Sequence, residues 1–134
     1  IVPNDIAEAV FYTKEEYDRI AEKQGNEISK LIVEGQAGRF EKDPNASSFV
    51  WDAITAAVWL KPEIATDIQE RYVDVDTNYG PNYGRVVSWW TSRNRDVEKG
   101  EGMPYGVQKC DVLFDIDREA FWDFYVDILT TEVE

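Results

Sequence analysis

The sequence predicts a mixed α/β chain in which helices flank a small antiparallel strand group. Three observations carry that expectation. Segments 72–77 and 108–116 alternate apolar with polar residues, 85–90 reads as a further strand, and turn-rich stretches separate them. An Ala-rich apolar stretch at 49–60 and an amphipathic one closing the chain both follow helical spacing. Strands that are neighbours in sequence and joined by turns pair antiparallel, so the sheet is either its own α+β patch or the tail of a larger α/β sheet.

In chain order, residues 1–12 read as the end of a strand followed by a turn. TKEE at 13–16 is a capping box: the Thr13 hydroxyl accepts from backbone N–H while Glu16 reaches back. The helix behind it places Tyr17, Ile20 and Ala21 together. Gly25 and Asn26 interrupt the pattern, and Ile28, Leu31 and Ile32 resume it in a second helix expected to end near Gly35 to Gly38. Residues 39–48 are polar and turn-rich, hence a loop. The helix at 49–60 puts Val50, Ala53, Ile54, Ala57 and Val58 on one face, which predicts deep packing, and it stops before Pro62. Residues 78–84 form a turn cluster. Residues 91–106, with Gly100, Gly102 and Gly106, read as an exposed excursion. In the last strand Cys110, Val112, Phe114 and Ile116 face one way. Asp117 caps the final helix, whose stripe is Ala120, Phe121, Phe124, Tyr125, Ile128 and Leu129.

Composition bounds the function. A chain of 134 residues, 43% hydrophobic with five Trp, seven Tyr and six Phe, has material for one packed unit over 1–134. Twenty-seven acidic against 14 basic side chains give a net charge of −13, which repels phosphate backbones and anionic lipid and disfavours nucleic-acid or membrane roles. No apolar run is long enough to span a bilayer, and no basic-then-apolar segment opens the chain, so the compartment stays unread. The chain contains no histidine, which excludes mechanisms needing an imidazole from it, and the lone Cys110 excludes an internal disulfide or thiolate cluster.

Few residues invite chemistry. Asp52, in the first turn of the apolar helix, reads either as a stabiliser of its own helix dipole or as one oxygen ligand of a metal. Phe40 and Phe49 flank the polar loop, as loop anchors or as ligand contacts. Trp89 and Trp90, with Tyr79, Tyr83 and Tyr105, read as strand packing or as a sugar-stacking surface, the latter needing both indoles exposed side by side. Asp74 with Asp76, and Asp115 with Asp117, sit two apart on strands and read as solvated faces rather than as acid–base pairs.

Several stretches in register resemble the end of the inosine-uridine preferring nucleoside hydrolase family. WDAITAAVWLKPEI at 51–64 is similar to the family segment in which an Asp opens a buried helix followed by a Pro turn. YVDVDT at 72–77, YGRVV at 83–87, VLFDIDREAFW at 112–122 and the final helix follow in the same order, and VPNDIA at 2–7 looks like the strand-to-turn segment before the helix pair. The resemblance implies a C-terminal part of that open-sheet fold, completed by an N-terminal part of the same protein or by a second chain; a homo-oligomer is compatible with it. It further implies hydrolysis of the N-glycosidic bond of ribonucleosides, with Ca2+ as cofactor, a nucleoside as substrate, Asp52 as one metal ligand, and Trp51, Phe40 and Phe49 as substrate contacts. The family's N-terminal acidic motif, which supplies the other ligands and the base, is absent, so no catalytic residue is assigned to this segment. Trp51 stands where many members have His, and an indole N–H cannot deliver a proton as a general acid. Asp52 is then expected to face an open concave surface with unfilled coordination. The alternative is a non-catalytic module that keeps the fold without the chemistry.

Overall fold

The structure, a computed structural model, describes residues 1–91 and 106–132. Its elements in chain order are α1 (Asn4–Ala7), β1 (Phe11–Tyr12), α2 (Lys14–Lys23), α3 (Glu27–Lys42), β2 (Ser48–Phe49), α4 (Trp51–Leu60), a 3-10 turn (Pro62–Ile64), β3 (Ala65–Val75), β4 (Val86–Trp90), β5 (Gln108–Ile116) and α5 (Arg118–Thr130). The 91–106 excursion, and Tyr105 with it, lies outside the described residues except at its two ends.

The larger sheet has the order β4-β3-β5, antiparallel throughout as expected. Tyr72 pairs with Trp89 on one side and Lys109 on the other. The β3–β5 register shifts between Ala65 and Ile68, a bulge that re-aims the start of β3. The residue at the start of the chain joins this sheet. Ile1 N donates to Asp111 O at 2.7 Å and Leu113 N donates to Ile1 O at 2.9 Å, the bracketing pattern of a parallel pair on the outer edge of β5. The strand-end reading of residues 1–12 holds to that extent, and the turn after it is the short helix α1.

Capping behaves as the sequence indicates. Thr13 N donates to the Glu16 carboxylate at 2.9 Å while Thr13 Oγ1 accepts from Glu15 N at 3.3 Å. Asp117 Oδ1 accepts from Ala120 N at 3.0 Å. The core gathers Val10, Tyr12, Ile20, Phe40, Ile54, Ile64, Leu113, Ile116, Phe121, Trp122 and Val126 between α2, α3, α4, α5 and the 3-10 end of β3. Arg19 and Asp123, 2.5 Å apart, tie α2 to α5 at the surface.

Three expectations need correction. The second helix does not stop near Gly35 to Gly38 but runs to Lys42, because a helical Gly costs only about 0.5–1 kcal/mol and burying Phe40 in the next turn recovers about 2 kcal/mol. Strand β3 begins at Ala65, well before residue 72, since its polar outer residues conceal the alternation. In α5 the buried residues are Phe121, Trp122, Val126 and Thr130, whereas Ile128 of the expected stripe is exposed. Helix α4 turns its expected face inward, with Ile54 and Ala57 buried and Val50, Ala53 and Val58 packed against the core, while Trp59 is 83% and Leu60 62% exposed. Among the described residues no helix is long and apolar enough to cross a membrane.

Candidate functional site

Helix α4 starts without a side-chain cap. Val50 precedes it at φ −125°, ψ 45°, and no side chain bonds the first-turn N–H groups. Asp52 lies in that first turn, exposed to solvent, and among the described residues it makes no hydrogen bond or ion pair. The carboxylate therefore is not spent on capping its own helix, although the helix dipole still favours a negative charge there. Its chemistry is that of a free, hard oxygen donor.

Beside it stands a column of aromatic rings. Phe49 and Trp51 are stacked with centroids 5.4 Å apart and planes 15° apart, and Phe11 lies 5.2 Å from Phe49 at a 40° tilt. All three remain exposed, at 43% for Phe11, 40% for Phe49 and 51% for Trp51. Backbone pairing builds the column: β1 and β2 are antiparallel with Phe11 directly opposite Phe49, and Trp51 follows two residues later. The loop before β2 is held by Arg39, whose guanidinium donates to Ser47 O at 2.6 Å and to Ser48 Oγ at 3.2 Å. The sequence reading missed Phe11 and Arg39. An apolar residue before a capping box gives no warning that its ring meets one 38 residues away, since the β1–β2 pairing is a property of the fold.

Phe40 is placed differently. It is 3% exposed, packed 5.0 Å from Tyr17 and 6.0 Å from Tyr12 by ring centroids, so it anchors α3 to the core and offers no surface to a ligand. Burial acts on Tyr12: its phenol is pushed up to about 12, first by desolvation and then by Tyr125, Tyr17 and Glu16. Trp89 and Trp90 are adjacent on β4 and so point to opposite faces, Trp89 opposite Tyr72 and Trp90 opposite Arg71. The side-by-side stacking surface is not formed. Asp74, Asp115 and Asp117 are exposed, and Asp117 is spent as the cap of α5.

The cavities lie elsewhere. A hollow of about 720 Å³ opens between residues 1–5 and the sheet, one of about 150 Å³ between α4 and α5, and one of about 410 Å³ around residues 25–30. Asp52 lines none of these three. Its side chain is exposed to solvent. Among the described residues no group of three or more His, Cys, Asp or Glu side chains is placed so as to hold a metal ion.

No family model matches the chain, and no curated protein sequence matches it. Solved structures do. A plant nucleoside hydrolase superimposes with a TM-score of 0.72 at 15% identity, over 95% of this chain and 39% of its own. An inosine-guanosine nucleoside hydrolase gives 0.72 at 22% identity, over 97% and 38%. An inosine-uridine preferring nucleoside hydrolase from Bacillus anthracis gives 0.63 at 22% identity, over 96% and 35%. The chain thus has a nucleoside hydrolase-like fold over nearly all of its residues, and it spans less than two-fifths of the length of those solved chains.

Proposed function

We propose that this chain is the Asp52-bearing segment of a calcium-dependent nucleoside hydrolase, an enzyme that splits the N-glycosidic bond of ribonucleosides into base and ribose. The observation that carries the reading is the exposed, unpartnered Asp52 carboxylate beside a solvent-facing aromatic column at an uncapped helix start. In this reading Asp52 gives one oxygen ligand to the metal. Trp51, backed by Phe49, offers a ring face against which a base stacks, worth about 1–3 kcal/mol per stacked base. Calcium, when bound, would acidify a water and orient the ribose hydroxyls. The remaining ligands and the base that takes the water's proton come from a completing polypeptide, either another part of the same protein or a second chain. No catalytic step is assigned to this segment alone.

A bare apolar surface supports the idea of completion. Helix α4 carries a single charged residue, Asp52, and a helix apolar on all sides is ordinarily covered on all sides. Here Leu60 and Ile128 are exposed along the apolar groove between α4 and α5, and Trp59 is exposed on the same helix. The matched solved chains are about two and a half times longer, which leaves ample polypeptide to cover them.

The test is ribose release from nucleosides by the completed protein, with and without a calcium chelator, compared with its Asp52→Ala variant. The expected outcome is chelator-sensitive release that falls at least a hundredfold in the variant, since a metal ligand acts on every turnover; removal of a catalytic electrostatic group costs about 2.7–4 kcal/mol. Undiminished release by the variant would exclude the metal role. One observation favours a second reading, a non-catalytic module on the same fold: no acidic group of three forms among the described residues. That reading requires the completed protein to bind no calcium.

A further inference from the structure

Among the described residues Arg71 is the one buried Lys or Arg, at 6% exposure. It sits in the middle of β3, opposite Trp90 on one neighbouring strand and Cys110 on the other. Its guanidinium carbon lies 3.2 Å from the centre of the Trp90 ring and 4.9 Å from that of Phe114. Buried cations are ordinarily matched by a carboxylate. The ion pairs among the described residues join Lys14 with Asp18, Arg19 with Asp123, Lys30 with Glu27, and Lys109 with Glu70, and none reaches Arg71. One guanidinium nitrogen donates to Gln69 Oε1, and Gln69 in turn donates to Asp67 at 2.8 Å, so the Asp67 charge reaches Arg71 only through an amide. Nε is buried without any partner.

The same sheet face walls the 720 Å³ hollow, with Val73, Val86, Ser88, Val112 and Phe114 on one side, residues 1–5 on the other, and Gly84 and Arg85 at the turn before β4. Phe114 therefore touches both the cation and the hollow. Val86 is 59% and Phe114 38% exposed, so apolar walls of the hollow stand open beside a charge that no carboxylate among the described residues matches.

We propose that this face docks a polypeptide that brings a carboxylate side chain to Arg71 and fills the hollow with flanking apolar side chains. The occupant follows from charge complementarity and from access. A cation roofed by Trp90 and Phe114 is reached by a carboxylate that arrives with apolar surface to displace and then cover those rings. A free hydrated anion gains nothing from the walls. The inference rests on the reading that a further polypeptide part completes this fold, and it names where one contact of that part is made.

The experiment uses the chain and two blocked tripeptides, Val-Glu-Val and Val-Gln-Val, followed by tryptophan emission, with sodium formate as the small-anion comparison. The expected result is that the Glu peptide binds about tenfold more tightly than its isosteric Gln partner, as a charge-assisted bond predicts. Arg71→Met is expected to remove that preference without lowering the melting temperature, because it deletes an unmatched buried charge. Arg71→Lys, which keeps the charge but loses the fork, is expected to lose several-fold in Glu preference. Equal binding of the two peptides, an Arg71→Met variant that keeps the preference, or formate competing as strongly as the Glu peptide would overturn the proposal. If Arg71→Met does not fold, an unchanged preference in Arg71→Lys overturns it. None of these readouts involves calcium or ribose, so a failure here and a failure of the Asp52 reading are told apart.

Discussion

Replacing Gly25 by Ala tests whether the junction of α2, α3 and α5 is packed as described. A Cβ at Gly25 would stand 1.9 Å from Thr130 O and 3.1 Å from Thr130 C, where ordinary contact begins at 3.4 Å. Both obstacles are backbone atoms at the end of α5, so no side-chain rotation relieves the clash. The end of α5 must retreat, and Asn26 holds it there: its side-chain amide donates to Leu129 O at 2.9 Å and Thr131 O at 2.7 Å. The same Asn26 accepts from Ser29 N to cap α3. Overpacking costs about 1–3 kcal/mol, and losing one or two of the Asn26 bonds adds about 1 kcal/mol each. The expected loss is roughly 2–5 kcal/mol, read from urea unfolding of the chain followed by far-ultraviolet circular dichroism. Gly35→Ala and Gly38→Ala are the controls. Both lie inside α3 with nothing within 4 Å of the added carbon, so each is expected to stabilise by about 0.5–1 kcal/mol. Unfolding midpoints that leave Gly25→Ala at or above wild type would refute this packing.

Tyr12 carries a buried hydroxyl with no hydrogen-bond partner, so Tyr12→Phe is expected to be neutral or stabilising by up to about 1–2 kcal/mol in the same unfolding assay. Its phenol, raised from 10.0 to about 12 in the fold, stays protonated where the unfolded chain already ionises. The unfolded state then binds fewer protons, so this contribution is intact below pH 10 and is lost as pH rises toward 12; Tyr12→Phe should flatten that alkaline decline. Arg39→Met removes the two bonds that hold the loop before β2, and faster proteolytic nicking within 43–48 is the expected sign, with nicking at the wild-type rate counting against the latch. Trp59→Ala should leave the stability of this chain within about 0.5 kcal/mol because the side chain is 83% exposed. In the completed protein the same change should cost several times more, and equal costs in both would show that α4 stays bare.

Local signals were legible and distant ones were not. Thr13 with Glu16 and Asp117 with Ala120 are short-range devices, and the structure forms both. The strand group was readable from its alternation and from the turn between β3 and β4, but not that β5, joined to β4 by the excursion, would pair with β3, and the start of β3 was hidden by charged outer residues. Gly35 and Gly38 misled because their small propensity cost is overridden by the burial of Phe40. The packing face of α4 was legible, since apolar spacing put Val50, Ala53, Ile54, Ala57 and Val58 together and the core takes all five, while Trp59 meets solvent. At the candidate site the sequence singled out Asp52, Trp51 and Phe49, all of which the fold leaves on the surface near one another along the chain. It could not foresee Phe11, brought to Phe49 by strand pairing, nor that Phe40 points inward.

The central claim of the proposal is that Asp52 helps grip a divalent ion together with ligands from a completing polypeptide. Calorimetric titration of calcium into the completed protein, beside its Asp52→Asn variant, measures that directly. The account predicts stoichiometric calcium binding that weakens at least tenfold in the variant, while the fold is unchanged by circular dichroism. Equal calcium affinity in both proteins, or no heat of binding in either, would contradict it.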